Sequence, residues 1–197
     1  GLEKVDTGNV IINNKDITNN NVRDIREAGI AHVPEDRYMW GSAPDATLAE
    51  NALMGYEDSD EFSKKGILNT DKVINHAINL ISKFRVKADS YSQKIKELSG
   101  GNAQKLIVAR EMSKETPLII ACEPTRGIDI GAIEFIHDQL VEKRNNGDSV
   151  LLVSSELSEI MDLSDRIYVI YEGEIVGEFK RGSIDEKALG LLMVGGK

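Results

Sequence analysis

The 197-residue chain predicts a three-layer α/β unit with a mainly parallel sheet, some antiparallel strands and a helical insert. Three observations carry that expectation. From residue 98 onward, helix and strand signals alternate: Leu106, Ile107, Val108 and Met112 read as an amphipathic helix, and Leu118-Ile119-Ile120-Ala121-Cys122 reads as a strand. A helix with Ile133, Ile136, Leu140 and Val141 on one face follows, then the almost wholly apolar run Val150-Leu151-Leu152-Val153, which predicts a buried parallel strand. A strand, a helix and a strand in so short a space argue for a right-handed βαβ crossover. Finally, residues 38–97 carry helix signals with no strand signal between them, the mark of a helical subdomain inserted in a single domain spanning 1–197.

The elements follow in order. Val10-Ile11-Ile12 is a short strand between Thr7-Gly8-Asn9 and Asn13-Asn14-Lys15-Asp16. The asparagines at 19–21 cap a short helix over about 22–28, which Gly29 ends. Ile30-Ala31-His32-Val33 is a strand stopped by Pro34. Thr47 and Glu50 form a capping box before Leu48, Ala52, Leu53 and Met54. The stretch 57–66 is charged and turn-rich, and Asn69 or Thr70 opens a helix with Ile74, Ala77, Ile78, Ile81 and Phe84 at helical spacing. Ser99 and Asp129 cap the two helices of the second half, and Gly147 lies past the end of the latter. A short helix over 156–163 precedes strands 167–171 and 174–179, which meet at the tight turn Glu172-Gly173. Ser183 and Glu186 form a second capping box for a last helix through Met193.

Composition bounds the function. A net charge of −9 argues against a nucleic-acid-binding surface. The single cysteine allows no internal disulfide and no zinc cluster. No apolar run approaches the roughly 20 residues that span a bilayer, and no signal peptide is legible, so membrane service would be peripheral. Gly1-Leu2-Glu3-Lys4 has no initiator methionine and reads as a cut within a longer chain.

The chemistry centres on Leu98-Ser99-Gly100-Gly101-Asn102. A serine-capped helix start carries exposed N–H groups and the positive end of the helix dipole, and two glycines let a ligand approach the backbone. By itself the turn reads more readily as an ordinary capped helix with a flexible entry. About twenty residues on, the strand 118–122 ends in Glu123, followed by Pro124-Thr125-Arg126-Gly127-Ile128-Asp129.

Together these segments resemble the ATPases of ABC transporters: Leu98-Ser99-Gly100-Gly101-Asn102 their signature motif, 118–123 the Walker B strand, and Gly127-Ile128-Asp129 the D-loop. Val33-Pro34-Glu35-Asp36-Arg37, Pro124-Thr125-Arg126-Gly127 and Ser154-Ser155-Glu156 resemble one branch, the second ATPase domain of duplicated subunits that energise import of simple sugars and nucleosides. Ile133-Glu134-Phe135-Ile136-His137 leans toward the nucleoside type. The resemblance implies a P-loop NTPase-like fold, ATP and Mg2+ as cofactors of the full-length protein or dimer, and a peripheral place on the cytoplasmic face of the membrane. It also implies a paired nucleotide-binding domain, transmembrane permease subunits and, indirectly, an extracytoplasmic substrate-binding protein as partners, with no nucleic acid. Tyr38, Met39 and Trp40 are candidate contacts to the permease, or simply pack their loop.

By the same resemblance, Glu123 matches the general base that polarises attacking water, or else is simply an acid at a strand end packed against Arg126, and Ser99, Gly100, Gly101, Asn102 and Asp129 line a nucleotide. Glu35 stands where a glutamine normally reaches the metal, so it reads either as a metal contact or as a solvated acid. Three departures weaken this domain's own site. The chain has no Gly-x-x-x-x-Gly-Lys-Ser/Thr run, which in the family lies upstream of the position matching Gly1. Cys122 replaces the aspartate that supports magnesium and is read as a small core residue, since a thiol suits that hard cation poorly. Ser155 stands where a histidine contacts the γ-phosphate, while His32, His76 and His137 read as surface or core residues. Without the strand leading to the phosphate loop, a gap in the core is expected, and the isolated piece is expected to be inactive. The expectation is therefore a domain that lends its signature motif in trans to ATP held by a partner; the alternative is a catalytically degenerate scaffold.

Overall fold

The computed structural model describes residues 1–57 and 59–196; Asp58, within the expected turn-rich stretch, lies outside the described residues. The chain divides into two compact units, Gly1–Leu151 and the residues from Leu152 onward.

In the first unit, β1 (Ile11–Ile12) and β2 (Lys15–Asp16) form a hairpin turning on Asn13 and Asn14, at φ 48° and 62°. Asparagine tolerates that left-handed geometry, which matches the twist of the strands. Asn21 caps α1 (Val22–Glu27) by accepting from the Asp24 N–H at 3.0 Å. β3 (Ile30–Val33) ends at Pro34, as expected. Thr47 and Glu50 close the capping box of α2 (Leu48–Leu53). Between α2 and the next helix the chain does form strands, contrary to the expectation of helices alone: β4 (Ser63–Lys64) and β5 (Ile67–Leu68) pair through Lys65 and Gly66, both at positive φ. Asn69 caps α3 (Thr70–Lys83). Its buried stripe is Val73, Ala77 and Leu80, leading to Phe84, while Ile78 is exposed. The face is thus rotated from the expected one, because several isoleucines lie outside the i, i+4, i+7 series that meets the core.

α4 (Gly100–Met112) packs against α2, α3 and β3 and, beyond the strand β6 (Leu118–Cys122), against α5 (Ile130–Asn145). It is buried on every side rather than on one face. β3 and β6 pair in parallel from Ile30 opposite Leu118 to Val33 opposite Ala121. β7 (Ser149–Val153) lies at the outer edge of the order β3-β6-β7. The expectation that β7 is buried fails here, since Leu151 and Val153 are half exposed on this edge strand.

The second unit contains α6 (Leu157–Leu163), the hairpin of β8 (Arg166–Tyr171) and β9 (Glu174–Lys180), and α7 (Glu186–Met193). Ile167, Val169 and Leu189 form its buried centre, with Leu157, Ile160, Phe179 and Leu192 around them. The cap of α7 is Asp185, whose carboxylate accepts from the Ala188 N–H at 2.8 Å, not Ser183. The Ser183 hydroxyl instead donates to the Lys180 carbonyl.

Buried charge joins the layers of the first unit. The Glu111 side chain is 1% exposed and receives Arg110 Nε at 3.0 Å, Arg26 Nη2 at 3.2 Å and the His32 backbone N–H at 3.3 Å. Arg110 also donates to the carbonyls of Asn51 at 3.1 Å and Gly41 at 3.0 Å. One carboxylate thereby ties α1, β3 and α4, while its arginine neighbour reaches the segment around α2. Burial disfavours the Glu111 charge, but the Arg110 and Arg26 guanidiniums outweigh it and hold the carboxyl below the usual glutamate range. The stabilisation is therefore present above the unfolded-state value of about 4.3 and is lost as pH falls through the lowered folded value. Removing the partner from a buried pair costs about 3–5 kcal/mol. Glu111→Ala is expected to lower the unfolding free energy obtained from a urea titration by that much, with the midpoint falling accordingly, read from the fluorescence of Trp40, the chain's single tryptophan. An unchanged midpoint at pH 7 would show that the network contributes nothing.

Candidate functional site

Ser99 stands before α4 in extended backbone, φ −63° and ψ 154°, the conformation of an N-cap. Its hydroxyl accepts from the Asn102 side-chain amide at 2.8 Å and, at 3.5 Å, from the Asn102 backbone N–H. The Asn102 carbonyl oxygen Oδ1 accepts from the Lys87 N–H at 2.8 Å, so this side chain pins the turn to the segment after α3. Lys87, Asp89, Gln93, Ser99 and Asn102 line an open depression there.

Both glycines of the turn face groups of the chain itself. A Cβ on Gly100 would lie 2.9 Å from Arg37 Nη1, and one on Gly101 would lie 2.6 Å from Asp129 Oδ2. Asp129 meanwhile caps α5, its Oδ1 accepting from the Ala132 N–H at 3.0 Å. Arg37 forks between two backbone segments: Nη1 donates to the Gly100 carbonyl at 3.1 Å and Nη2 to the Arg126 carbonyl. Arg126 in turn donates to Glu35. Glu35, Ser99, Gly100, Gly101, Asn102 and Asp129 are thus brought into one cluster, and Arg37 and Arg126 are the residues that assemble it. On the sequence alone Arg126 has only a packing role beside Glu123 and Arg37 has none; the local signal for Arg37 was its place three residues after Pro34, which ends β3.

The same loop presents an apolar tip. Asp36 accepts from the N–H groups of Met39 and Tyr38, both at 2.9 Å, and these bonds hold its carboxyl below the usual range. The turn so formed leaves Tyr38 at 39%, Met39 at 69% and Trp40 at 70% exposure.

Glu123 follows β6 with φ 45°, a left-handed conformation that a glutamate enters only under constraint, and its carbonyl accepts from the Arg126 N–H at 3.2 Å. Cys122 Sγ lies 3.9 Å from His32 Nε2 on the paired strand. Burial pushes the Cys122 thiol up, reinforced by the carboxylates of Glu35 and Glu123; burial likewise pushes His32 down. A neutral thiol beside a neutral imidazole does not suit Mg2+, which takes hard oxygen donors. Among the described residues no group of three histidines, cysteines or acids is arranged to hold a metal ion. The Cys122–His32 pair thus offers magnesium no fitting donor. Ser155 is exposed and belongs to the second unit, just past β7, where Ser154 Oγ accepts the Glu156 N–H.

The model of the family described as ABC transporter matches residues 1–126. The chain belongs to that family. Its fold is the ABC ATPase fold, P-loop NTPase-like, in a partial domain: a nucleotide-free ATP-binding cassette from an ABC transporter superposes with a TM-score of 0.76 at 24% identity, over 98% of this chain and 76% of that one. The nucleoside import ATP-binding protein NupA of Lactococcus lactis subsp. cremoris (strain MG1363) is 44% identical over 196 residues, all of this chain and 39% of the relative. The guanosine import ATP-binding protein NupO of Bacillus subtilis (strain 168) is 43% identical over 195 residues, 99% of this chain and 38% of the relative. This ABC chain therefore spans about two fifths of the length of these curated relatives.

Cys122 provides a direct check on the strand end. With its thiol pushed up, alkylation by iodoacetamide at pH 8 is expected to be slower than that of free cysteine and to rise only at more alkaline pH. A rate above that of free cysteine would contradict the half-buried, anion-flanked setting.

Proposed function

We propose that this chain is one ATP-binding domain, the second and C-terminal, of a peripheral subunit that energises ABC-type import of nucleosides or simple sugars. We infer further that its turn 99–102 acts in trans on ATP held by a paired domain. The observation that carries this reading is a capped helix start, Ser99 ahead of Gly100 and Gly101, braced by Arg37 and Asp129 into a defined shape. A helix N-terminus of that kind suits a polyanion. The likeness to nucleoside and guanosine import ATP-binding proteins supports the substrate class, and the cytoplasmic membrane face is what that reading implies.

When bound, ATP would supply a phosphoryl group for transfer to water. Within this chain, Ser99 Oγ and the first N–H groups of α4 would neutralise charge on the partner's triphosphate. Glu123, at the end of β6, is the candidate general base for this domain's own site; Ser155, of the second unit, is proposed separately as a hydrogen-bond donor to nucleotide. The exposed tip Tyr38, Met39 and Trp40 is of the kind that interfaces bury, and a transmembrane permease is its proposed partner. A substrate-binding protein would act only through that permease.

Cys122 and His32 favour a second reading, a degenerate domain that shapes the assembly without catalysis of its own. Ser99→Arg in the full-length protein with its permease separates the two. A bulky cation at the cap is expected to lower ATP turnover and transport at least tenfold with the melting temperature retained. Undiminished turnover would leave only the scaffolding role.

A further inference from the structure

We propose that Arg37 is a positioning residue, a strut that makes the exposed 38–40 tip and the 99–102 turn move as one body with the loop 126–129. The inference rests on the trans reading of that turn and adds how its shape is set. The guanidinium is half-buried and reaches two backbone carbonyls, of Gly100 and Arg126, that are 26 positions apart in the chain. A planar fork suits such a two-acceptor seat, where a point charge does not. The seat also depends on what is missing from its walls. A Cβ at Gly100 would stand 2.9 Å from Nη1 and one at Gly127 3.3 Å from Nη2. Gly127 sits at φ 65°, so a side chain there is strained on two counts.

At its other end the strut is fixed to the tip. Asp36 precedes Arg37 and receives the N–H groups of Tyr38 and Met39 on its side chain and those of Trp40 and Gly41 on its carbonyl. The Ser42 hydroxyl donates to the Arg37 carbonyl at 2.7 Å. Displacing the tip therefore displaces Arg37, and with it the Gly100 carbonyl at the start of α4. Glu35, in turn, is engaged by Arg126 at the same loop. One oxygen of that carboxylate thereby joins the brace.

The glycine acquires a second meaning that a double-mutant cycle isolates. In the full-length protein with its permease, Arg37→Ala is expected to lower kcat for ATP about tenfold while KM changes less than twofold, because the partner's phosphate loop still holds the nucleotide. Gly100→Ala should lose a similar factor by expelling the guanidinium. The double variant should lose no more than Arg37→Ala alone, since the new Cβ then occupies vacated space. Arg37→Lys should recover part of the loss. Multiplying losses, about a hundredfold in the double variant, would show that Gly100 answers only to an incoming ligand; the strut falls while the trans reading stands. Normal kcat in Arg37→Ala also overturns the strut. If Ser99→Arg retains full turnover in the same preparation, the trans reading itself has failed. Should Arg37→Ala not fold, Arg37→Lys and Gly100→Ala carry the cycle through their own double variant, with the same criterion of no added loss.

Discussion

A single buried carboxylate constrains the first unit more than any apolar contact does. Glu111 lies inside α4, and with its side chain nearly inaccessible it must find donors from whatever packs around it. They come from three directions: Arg110 on the same helix, Arg26 on α1 and the backbone of His32 on β3. Arg110 then spends its remaining donors on carbonyls near α2. Apolar surfaces can slide past one another at small cost, but a charge with fixed donors cannot. The helix that opens at Ser99 is therefore locked in place eight to twelve residues downstream of the turn it presents.

That lock explains why the candidate site can sit on loops. β3 is held to α4 by the His32 N–H and to β6 by four pairs of residues, and the chain leaves β3 through Pro34. Glu35 and Arg37 come next, so their reach toward Gly100 and Arg126 starts from a fixed point. β6 likewise delivers Cys122 and Glu123 before the turn that carries Arg126. Two adjacent parallel strands thus launch the two loops that Arg37 ties, and α4 closes the figure from a third side. Fold and site are positioned by the same parallel pair.

Much of this was legible in the sequence because it is local. Ser99, Asp129, Thr47 and Asn69 cap their helices, and each signal lies within three residues of its consequence. The turn Glu172-Gly173 is local too, and both residues take positive φ. Readings failed where several residues competed for one role. Asp185 outbid Ser183 as cap of α7 because its carboxylate stands one place before the helix. In α3 the isoleucines outnumbered the series that reaches the core. In α4 the expected amphipathicity vanished because neighbours cover every side. The site's assembly was illegible for a different reason: Arg37 meets partners 63 and 89 positions away, and Arg26 meets Glu111 85 positions away. No period or propensity carries such pairings.

Doubled glycines after a capping serine invite the explanation that a ligand needs the room. The geometry adds an internal claimant to each position. Gly100 is small where Arg37 must enter, and Gly101 is small where Asp129 turns its second carboxylate oxygen. Gly100 takes an ordinary negative φ, so no left-handed backbone demands the glycine there; space does. The two demands are compatible, because a guanidinium on the inner side and a ligand on the outer side use different flanks of one turn. A turn gripped from within by an arginine and a carboxylate has lost the conformational freedom that glycines bring, and an anion approaching it pays less to order it. Flexibility in the sequence has become rigidity in the fold, and that conversion is what qualifies an exposed helix start as a seat rather than a loose end.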